Sequence, residues 1–265
     1  MDLELTGRRA VVTGGSRGIG FAIADALSAE GAELALLARD PDRLAAAAGR
    51  LRERCGRVVA LSVDTTDDKA VRSAIIQVAE DLGGVDILVN NAATPAGASA
   101  PRDLEDLLDA DILAAFDTKV LGYLRTARAA APYMIAQGWG RIINISGLAA
   151  RSVSTASGSI RNVAVAALTK TLADELGPKG VNVTVVHPGW TVTERTAEHI
   201  AAYASARGIT EAAAQVLLAK GISIGRPVTA AELADVVTFL ASPRSVAING
   251  DAIVAGGGAR GPIHY

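Results

Sequence analysis

The sequence is poor in cysteine and in aromatic residues, and both shortages limit what the protein can be. Cys55 is the only cysteine among 265 residues, so an intrachain disulfide is impossible and a cysteine-built metal site is not expected. Aromatic residues make up only 3% of the chain although half of all residues are hydrophobic. The core must therefore be built from Ala, Val, Leu and Ile, and a chain of this length needs no disulfide or metal to stabilise it.

The sequence also lacks a charged stripe and a long apolar run. The formal net charge is −2 with both signs mixed along the chain, which argues against a nucleic-acid partner and against a basic arm for membranes. No apolar run reaches the length of about 18 residues that a membrane-spanning helix needs, and the first 15 residues lack the apolar stretch of a signal peptide. We expect a soluble cytoplasmic protein with no nucleic-acid or membrane partner.

Short β-branched runs alternate with alanine-rich helical stretches such as 18–31 and 110–138. The runs lie at 9–13, 32–38, 56–63, 85–90, 140–146, 180–188 and 251–256. They are mostly apolar throughout, which is typical of strands covered on both faces. Strand–helix–strand repetition predicts an α/β protein with a doubly wound Rossmann fold, in which helices flank a seven-stranded parallel sheet. Because no linker or repeat interrupts the pattern, we expect one domain over 1–265.

Glycine and proline mark the predicted helix ends. Gly31 and Gly138 are expected as helix C-caps and Pro41 in the first turn of a helix. The least regular segment, 190–226, follows the carboxyl end of a strand, where ligands bind in such sheets. We interpret it as a substrate lid; the alternative is a surface excursion without function. Its helix-like stretches 197–208 and 210–220 are rich in alanine, which suggests an apolar pocket wall.

The stretch VVTGGSRGIG at 11–20 runs from the first strand into the first helix. Three glycines there, Gly14, Gly18 and Gly20, allow a tight turn and a close approach to a pyrophosphate. The free amides and the positive end of the helix dipole favour an anion at that point. We predict a dinucleotide site that also includes Ser16, Arg17 and Ile19. The alternative is a tight turn that binds no ligand.

The end of the second strand bears on the choice of cofactor. A carboxylate at position 38 would bind the ribose hydroxyls of NAD, but Ala38 is neutral, Arg39 follows it, and Arg17 lies in the glycine turn. Two guanidinium groups near the ribose favour a 2′-phosphate, so we predict NADP(H) over NAD(H). Arg39 could instead be a solvated loop charge, and the neighbouring Asp40 counts against the prediction.

Several motifs in this order resemble the short-chain dehydrogenase/reductase family over essentially the whole chain. The matching stretches are TGGSRGIG (13–20), VDT (63–65), NNAA (90–93), NIS (144–146), HPG (187–189), GRPVTAAELADVVTFLAS (225–242) and GGG (256–258). The resemblance implies an NAD(P)-dependent oxidoreductase that acts on a carbonyl or alcohol and forms a homotetramer or homodimer.

The resemblance also implies cofactor contacts at positions beyond the glycine turn. Residues 63–65 would contact the adenine end, residues 90–93 would steady the central strand and line the cofactor channel, and residues 186–193 would lie beside the nicotinamide. The residues given these roles are Asp64, Thr65, Asn91, Ala92, Ala93, Pro188, Gly189, Thr191 and Thr193. Ala93 stands where the family usually has glycine.

The chain departs from the family at the groups that reduce the carbonyl. Members use a tyrosine and a lysine four residues later on one helix, a serine after the fifth strand and an asparagine on the preceding long helix. Alignment on AALTK (166–170) places Gly158 on the tyrosine and Asn162 on the lysine, which would share one helix face. No tyrosine lies between residues 146 and 170, so a shifted alignment cannot restore the pair.

The other two family positions point to a different set of groups. Ser146 is the expected match for the serine, with Gly147 as a competitor, and Lys119 stands where the asparagine is usual. A lysine in a partly dry pocket can have a pKa of about 7–8, which suits a general acid. Ser146 could donate a hydrogen bond to a carbonyl oxygen, and Asn162 could add another or hold the nicotinamide ribose.

We therefore predict a catalytic set of Lys119, Ser146 and Asn162, with Gly158 leaving room for substrate or water. His187 is a further candidate acid because histidine titrates near neutrality. Each has an alternative interpretation without a catalytic role. Lys119 could form an ion pair with Asp117 or another nearby acid, while Ser146 and His187 could be ordinary strand-end residues. His199 and His264 are isolated, and no metal site is expected.

Three functions remain open on these residues. The first is an NADP(H)-dependent oxidoreductase with a non-standard active site. The second is a non-redox lyase or isomerase, in which Lys119 acts as base or forms an imine with the substrate. The third is a catalytically inactive subunit that binds nucleotide. The sequence does not name the substrate.

Overall fold

A computed structural model describes residues 1–54, 57–93 and 104–260 of the chain. Cys55, the predicted start of the third strand at Gly56, and His264 lie outside the described residues. Within the described part, seven parallel strands form one sheet with helices on both faces. The predicted α/β fold class is confirmed.

All seven predicted runs form strands of this sheet, with ends one or two residues shorter at several positions. The strand order is β3-β2-β1-β4-β5-β6-β9, and every neighbouring pair is parallel. The bounds are β1 Arg9–Thr13, β2 Glu33–Ala38, β3 Val58–Ser62, β4 Ile87–Asn90, β5 Gly140–Ile145, β6 Val181–Pro188 and β9 Ala252–Ala255. Two short strands, β7 Thr191–Val192 and β8 Val228–Thr229, pair separately and were not predicted.

Nine α-helices connect the described strands. Their bounds are α1 Gly18–Ala29, α2 Pro41–Arg52, α3 Asp68–Leu82, α4 Asp109–Phe116, α5 Gly122–Ala136, α6 Ala156–Leu176, α7 Thr196–Arg207, α8 Glu211–Lys220 and α9 Ala230–Ala241. Pro41 opens α2 as predicted, and the Asp40 side chain caps that helix. Gly31 and Gly138 follow the C-cap residues Glu30 and Gln137. Their φ angles are +83° and +70°, because the left-handed position lies one residue beyond the C-cap.

The predicted helix over 110–138 is interrupted. Between α4 and α5 lies a π-helical turn, Asp117–Leu121, in which an extra residue widens the helix. Such turns occur mostly as single insertions and are frequent at functional sites. Apolar periodicity does not reveal it, because the apolar pattern continues on both sides of the insertion. The turn carries Lys119.

The core lies on the two faces of the sheet. Val12, Leu36 and Ile143 pack on one face with residues of α1, α2 and α9. Val11 and Ile142 pack on the other face with residues of α3, α5 and α6. Successive strand residues point to opposite faces, and both faces are covered, so the strands read as continuous apolar runs.

A polar network closes the end of the sheet where the central strands begin. The carboxylate of Asp86, just before β4, accepts hydrogen bonds from the backbone N–H of Arg9 at 2.9 Å, from its guanidinium, and from Gln137 at 2.9 Å. Burial raises the pKa of the Asp86 carboxyl, but the hydrogen bonds from Arg9 outweigh it, so this pKa lies below its usual value. The network joins β1, β4 and the end of α5.

The predicted lid segment 190–226 contains β7, α7 and α8. Ile200 and Ala204 of α7 pack against Ala214 of α8, with Trp190 and Tyr203 beside them. Both helix-like stretches are confirmed as helices. None of the described helices has the length and hydropathy needed to cross a membrane.

Candidate active site

A cleft of about 920 Å³ opens at the carboxyl ends of the central strands. Its walls come from the residues that follow β1 to β6 and from the start of the lid segment. Ligands bind in this position in open parallel sheets, because the connections leave a crevice where the strand order reverses. Most of the predicted cofactor residues line it: Gly14, Ser16, Arg17, Gly18, Ile19, Arg39, Asp64, Thr65, Asn91, Ala92, Ala93, Pro188, Gly189 and Thr193.

Two predicted cofactor residues do not line the cleft. A Cβ on Gly20 would overlap the carbonyl oxygen of Gly14, so this glycine lets α1 approach the turn closely and does not face a ligand. The Thr191 hydroxyl donates to the carbonyl oxygen of Gly189 at 3.2 Å. Gly20 therefore acts on the site only by allowing close backbone packing. Of the two threonines, Thr193 lines the cleft and Thr191 does not.

The glycine turn has the geometry of an anion cradle. Gly14 and Gly18 have φ angles of +65° and +56°, a conformation that favours glycine. The Asn91 side-chain amide donates to the carbonyl oxygens of Thr13 at 3.1 Å and Gly14 at 3.2 Å, which fixes the turn. Arg17, the N-cap residue of α1, makes no side-chain cap hydrogen bond. The amides that open α1 can therefore bind an anion, and the turn fits a dinucleotide pyrophosphate.

Arginines line the cleft near the ends of β2 and β3. Arg17 and Arg39 lie there as predicted, and Arg43 of α2 joins them. The Asp40 carboxylate is engaged, because it accepts from the Arg43 backbone N–H and lies 3.1 Å from the Arg43 guanidinium. The backbone hydrogen bond from Thr66 lowers the pKa of Asp64, and the charge of Arg39 lowers it further. This end of the cleft can accept a phosphate as well as a ribose.

Lys119, Ser146 and Asn162 meet in one buried cluster that lines the cleft. The Lys119 ammonium donates to the carbonyl oxygen of Ser146 at 2.9 Å and to Oδ1 of Asn162 at 2.8 Å. The Ser146 hydroxyl donates to the Asn162 carbonyl oxygen at 3.0 Å. Asp117, the alternative partner for Lys119, instead binds Arg125 at 2.7 Å, so Lys119 does not form that ion pair.

The environment of Lys119 changes its acidity. The side chain is 4% exposed, and burial, with the positive charge of Arg161 as a second cause, lowers the pKa of Lys119 to about 7. An ammonium group has three N–H donors, and the described contacts use two of them. Lys119 can therefore present its remaining proton, or after deprotonation its lone pair, to a ligand in the cleft near neutral pH.

Two residues of the predicted catalytic set lie elsewhere. His187 is completely buried in β6 and does not line the cleft, because a strand turns successive side chains to opposite faces. Gly158 is buried too, and its carbonyl oxygen accepts from the Asn162 side chain at 2.8 Å. A Cβ on Gly158 would lie 2.8 Å from Oγ1 of Thr155, and Gly158 is not among the residues that line the cleft.

Several residues that line the cleft were missed as site residues in the sequence. Among them are Arg161 of α6, Trp190 and His199 of α7. Each is a single polar or aromatic side chain in a helix or loop, and no spacing pattern distinguishes it from a surface residue. Trp190 and His199 reach the cleft through the lid segment, and Arg161 reaches it from α6.

Comparison with known proteins gives consistent matches over most of the chain. The sequence model described as short chain dehydrogenase matches residues 8–204. The short-chain reductase protein NovJ of Streptomyces niveus is 34% identical over 255 residues, which cover 94% of this chain and 92% of NovJ. The crystal structure of L-sorbose reductase from Gluconobacter frateurii, complexed with NADPH and L-sorbose, matches with a TM-score of 0.91 and 31% identity over 99% of this chain and 100% of the other. An NAD⁺-bound xylitol dehydrogenase matches with a TM-score of 0.88 and 27% identity over 96% of this chain and 100% of the other.

Proposed function

The chain belongs to the short-chain dehydrogenase family, and from this premise we propose that it is an NADP(H)-dependent oxidoreductase that interconverts a carbonyl compound and an alcohol. The observation that carries the proposal is the buried Lys119 ammonium, which faces the cleft beside Ser146 and Asn162. In this proposal Lys119 replaces the tyrosine that other members use, and the segment 190–226 covers the substrate.

The cofactor part of the proposal rests on the glycine turn and the arginines. Gly14 and Gly18 would hold the pyrophosphate against the start of α1, while Arg39 and Arg17 would contact a 2′-phosphate. A bound nicotinamide dinucleotide supplies or accepts the hydride. The NADPH complex of the sorbose reductase supports this preference, whereas the NAD⁺ complex of the xylitol dehydrogenase shows that the fold also accepts the other cofactor.

The proposal also names the atom that exchanges a proton with the substrate. Nζ of Lys119 donates its third proton to the substrate oxygen during carbonyl reduction and accepts a proton from the hydroxyl during alcohol oxidation. Its bonds to Ser146 and Asn162 fix the direction of this group. Asn162 and Gly158 stand where the family has its lysine and tyrosine, and Asn162 connects the ammonium to the backbone of α6.

Two measurements test the proposal in sequence. Titration of the protein with NADPH and NADH, followed by cofactor fluorescence, should show saturable binding below millimolar concentration. A panel of ketones and aldehydes should then oxidise NADPH at 340 nm. Absence of binding by both cofactors would refute the proposal, and product formation without loss of NADPH would indicate the lyase or isomerase reaction instead.

Arg39 should set the choice between the two cofactors. Replacing Arg39 by alanine is expected to weaken NADPH binding about tenfold or more, because a charge-assisted hydrogen bond contributes about 1.5–3 kcal/mol, while NADH affinity stays unchanged. Arg54→Ala is the matched control, since Arg54 pairs with Asp25 at 3.1 Å and does not line the cleft. Equal losses for both cofactors would contradict a contact with the 2′-phosphate.

A catalytically inactive nucleotide-binding subunit is the second candidate, and one observation favours it. Among the residues that the structure describes, no tyrosine lines the cleft. The nearby Tyr123 is 1% exposed, and its hydroxyl donates to the carbonyl oxygen of Ile145 at 2.8 Å. A protein of this kind would bind NADPH and turn over no substrate.

The double variant Gly158→Tyr with Asn162→Lys separates the two candidates. Thr155 must move to admit the new side chain, which is feasible because the contact at 2.8 Å is a side-chain hydroxyl. If the natural chain is inactive, the variant is expected to gain reductase activity with a carbonyl panel at 340 nm. If the natural chain is active through Lys119, the single variant Asn162→Ala should lower that activity, because Asn162 no longer orients the ammonium.

A further inference from the structure

The π-helical turn Asp117–Leu121 determines where the Lys119 ammonium lies. The backbone N–H of Gly122, just after the turn, donates to the carbonyl oxygen of Asp117 at its start. Such turns are rare, and one inserted residue rotates the side chains before it relative to those after it. A side chain that binds the turn from outside would therefore fix the direction in which Lys119 projects.

Arg125 of α5 binds this turn at its first residue. Its guanidinium donates to the Asp117 carboxylate at 2.7 Å and, more weakly, to the Asp117 carbonyl oxygen at 3.4 Å. The Arg125 side chain is only 16% exposed, so this ion pair is screened less than one on the open surface. Side-chain pairs on a regular α-helix lie three or four residues apart, whereas these two residues are eight apart. The ion pair therefore spans the inserted turn and does not follow from ordinary helix spacing.

The same guanidinium joins the turn to the wall of the cleft. It donates to the carbonyl oxygen of Thr65 at 3.2 Å, and Thr65 lines the cleft in the connection that follows β3. The packing is close here, since a Cβ on Gly122 would lie 3.1 Å from Oγ1 of Thr65. Arg125 thus binds both the turn and the connection against which the turn packs.

We propose that Arg125 is a positioning residue, which holds the turn Asp117–Leu121 in the register that directs the Lys119 ammonium into the cleft. Arg125 is not among the described residues that line the cleft, so it acts through Lys119 and not on the substrate itself. The inference rests on the proposed function, because a part in catalysis requires that Lys119 exchanges a proton with the substrate. The alternative is an ion pair that stabilises α5 and has no effect on Lys119.

The pKa of Lys119 tests the inference in the protein without cofactor. Burial, with the charge of Arg161 as a second cause, lowers this pKa to about 7. An ammonium that leaves the buried cluster regains water, so its pKa should rise by about one unit or more towards the ordinary value. Lysine labelled with ¹³C at Cε reports the pKa by NMR, because the shift of Cε follows the charge of the amine. The chain has few lysines, and Lys119→Met assigns the resonance.

Two variants with opposite changes of charge separate position from electrostatics. Arg125→Met removes a cation and Asp117→Leu removes an anion, and both break the bond of 2.7 Å. Electrostatics alone would raise the pKa of Lys119 in the first variant and lower it in the second. Loss of position should raise the pKa in both. Arg125→Lys, which keeps the charge but lacks the planar fork of donors, should give an intermediate value and is the milder variant if one of the others fails to fold.

Turnover gives a second readout. Arg125→Met should lower kcat by up to about 10²-fold, because a misplaced catalytic group can cost that much, and should leave the affinity for NADPH nearly unchanged. In a Lys119→Met background the same substitution should cause no further loss, since the group that Arg125 positions is already gone. Arg128→Met is the matched control, because Arg128 lies on the same helix, is 51% exposed and pairs with Asp68 at 2.6 Å. It should change neither kcat nor the pKa of Lys119.

The outcomes distinguish this inference from the proposed function. A pKa of Lys119 that moves in opposite directions in the two charge variants, or stays the same in both, would overturn the inference whether or not the protein reduces a carbonyl. An equal loss of kcat with and without Lys119 would also overturn it, because it indicates a general defect of the fold. If the pKa rises in both variants while Lys119→Met keeps full activity, Arg125 does position the lysine, and it is the catalytic part of the proposed function that fails.

Discussion

Replacing Lys119 by methionine is expected to lower kcat about 10³-fold, because a positioned general acid contributes about 10²–10⁴ to the rate. NADPH affinity should stay unchanged, since the ammonium binds Ser146 and Asn162 in the structure. Methionine has a similar length and no charge, so it removes the ammonium with little change in side-chain volume. Stopped-flow or steady-state measurement of NADPH oxidation gives the rate, and a cofactor titration of the same sample checks the site.

Two further variants show whether the proton or only the charge matters. Lys119→Arg retains a cation but cannot release its proton near neutral pH, so it should be nearly as inactive as the methionine variant. Lys170→Met is the control, because Lys170 is exposed and pairs with Asp174. Full activity of the arginine variant would show that Lys119 acts only through its charge. Full activity of the methionine variant would show that Lys119 takes no part in the reaction.

The pH dependence of the two reaction directions should follow the lowered pKa of Lys119. Burial brings this pKa to about 7, so the protonated acid predominates below neutrality. The rate of carbonyl reduction should therefore fall as the pH rises through about 7, and the rate of alcohol oxidation should rise over the same interval. A profile that is flat between pH 6 and pH 8, roughly one unit either side, would contradict proton transfer by this group.

Replacing Asp86 by alanine is expected to lower the free energy of unfolding by about 3 kcal/mol, because breaking a buried ion pair leaves the partner uncompensated at a cost of about 3–5 kcal/mol. The lower end applies because the Arg9 side chain is 21% exposed and can regain some water. Urea denaturation followed by circular dichroism measures the change. The control is Asp174→Ala, which removes a carboxylate that is 66% exposed and should leave the midpoint almost unchanged.

The stabilisation of the fold by Asp86 should also depend on pH. Its folded-state pKa lies below the ordinary value of a carboxyl group because of the hydrogen bonds from Arg9. The stabilisation is therefore fully present above the unfolded-state pKa of about 4 and is lost as the pH falls towards the folded-state pKa. The natural chain should lose more stability than Asp86→Ala between pH 5 and pH 2, roughly the interval that spans both values. Parallel losses in the two proteins would contradict this origin.

The sheet could be predicted from the sequence because its strands are buried on both faces. Runs such as 140–146 and 180–188 stand out by hydrophobicity alone, and the structure confirms them as β5 and β6. β7 and β8 escaped prediction because two residues are too few to show any periodicity. The π-helical turn escaped because one inserted residue does not interrupt the apolar pattern of α4 and α5.

The site was predictable where a residue follows a strand or belongs to a motif. Ser146 and the glycine turn lie at strand ends, and the topology brings such positions together at one edge of the sheet. Placing Lys119 beside Asn162 required only that their helices be neighbours, as they are. His187 was misplaced because a strand residue can face either side. Arg161 and His199 could not be found, since they reach the cleft through the tertiary packing of α6 and α7 and belong to no local pattern.

Because the turn Asp117–Leu121 contains one extra residue, the direction in which Lys119 points depends on the number of residues in this turn. An α-helix rotates by about 100° per residue, so deletion of one residue from this turn would swing Lys119 around the helix relative to α5. No intermediate register exists, because a helix gains or loses whole residues. Point substitutions can weaken this group or replace it, but only a change in chain length can carry it to another face of the molecule.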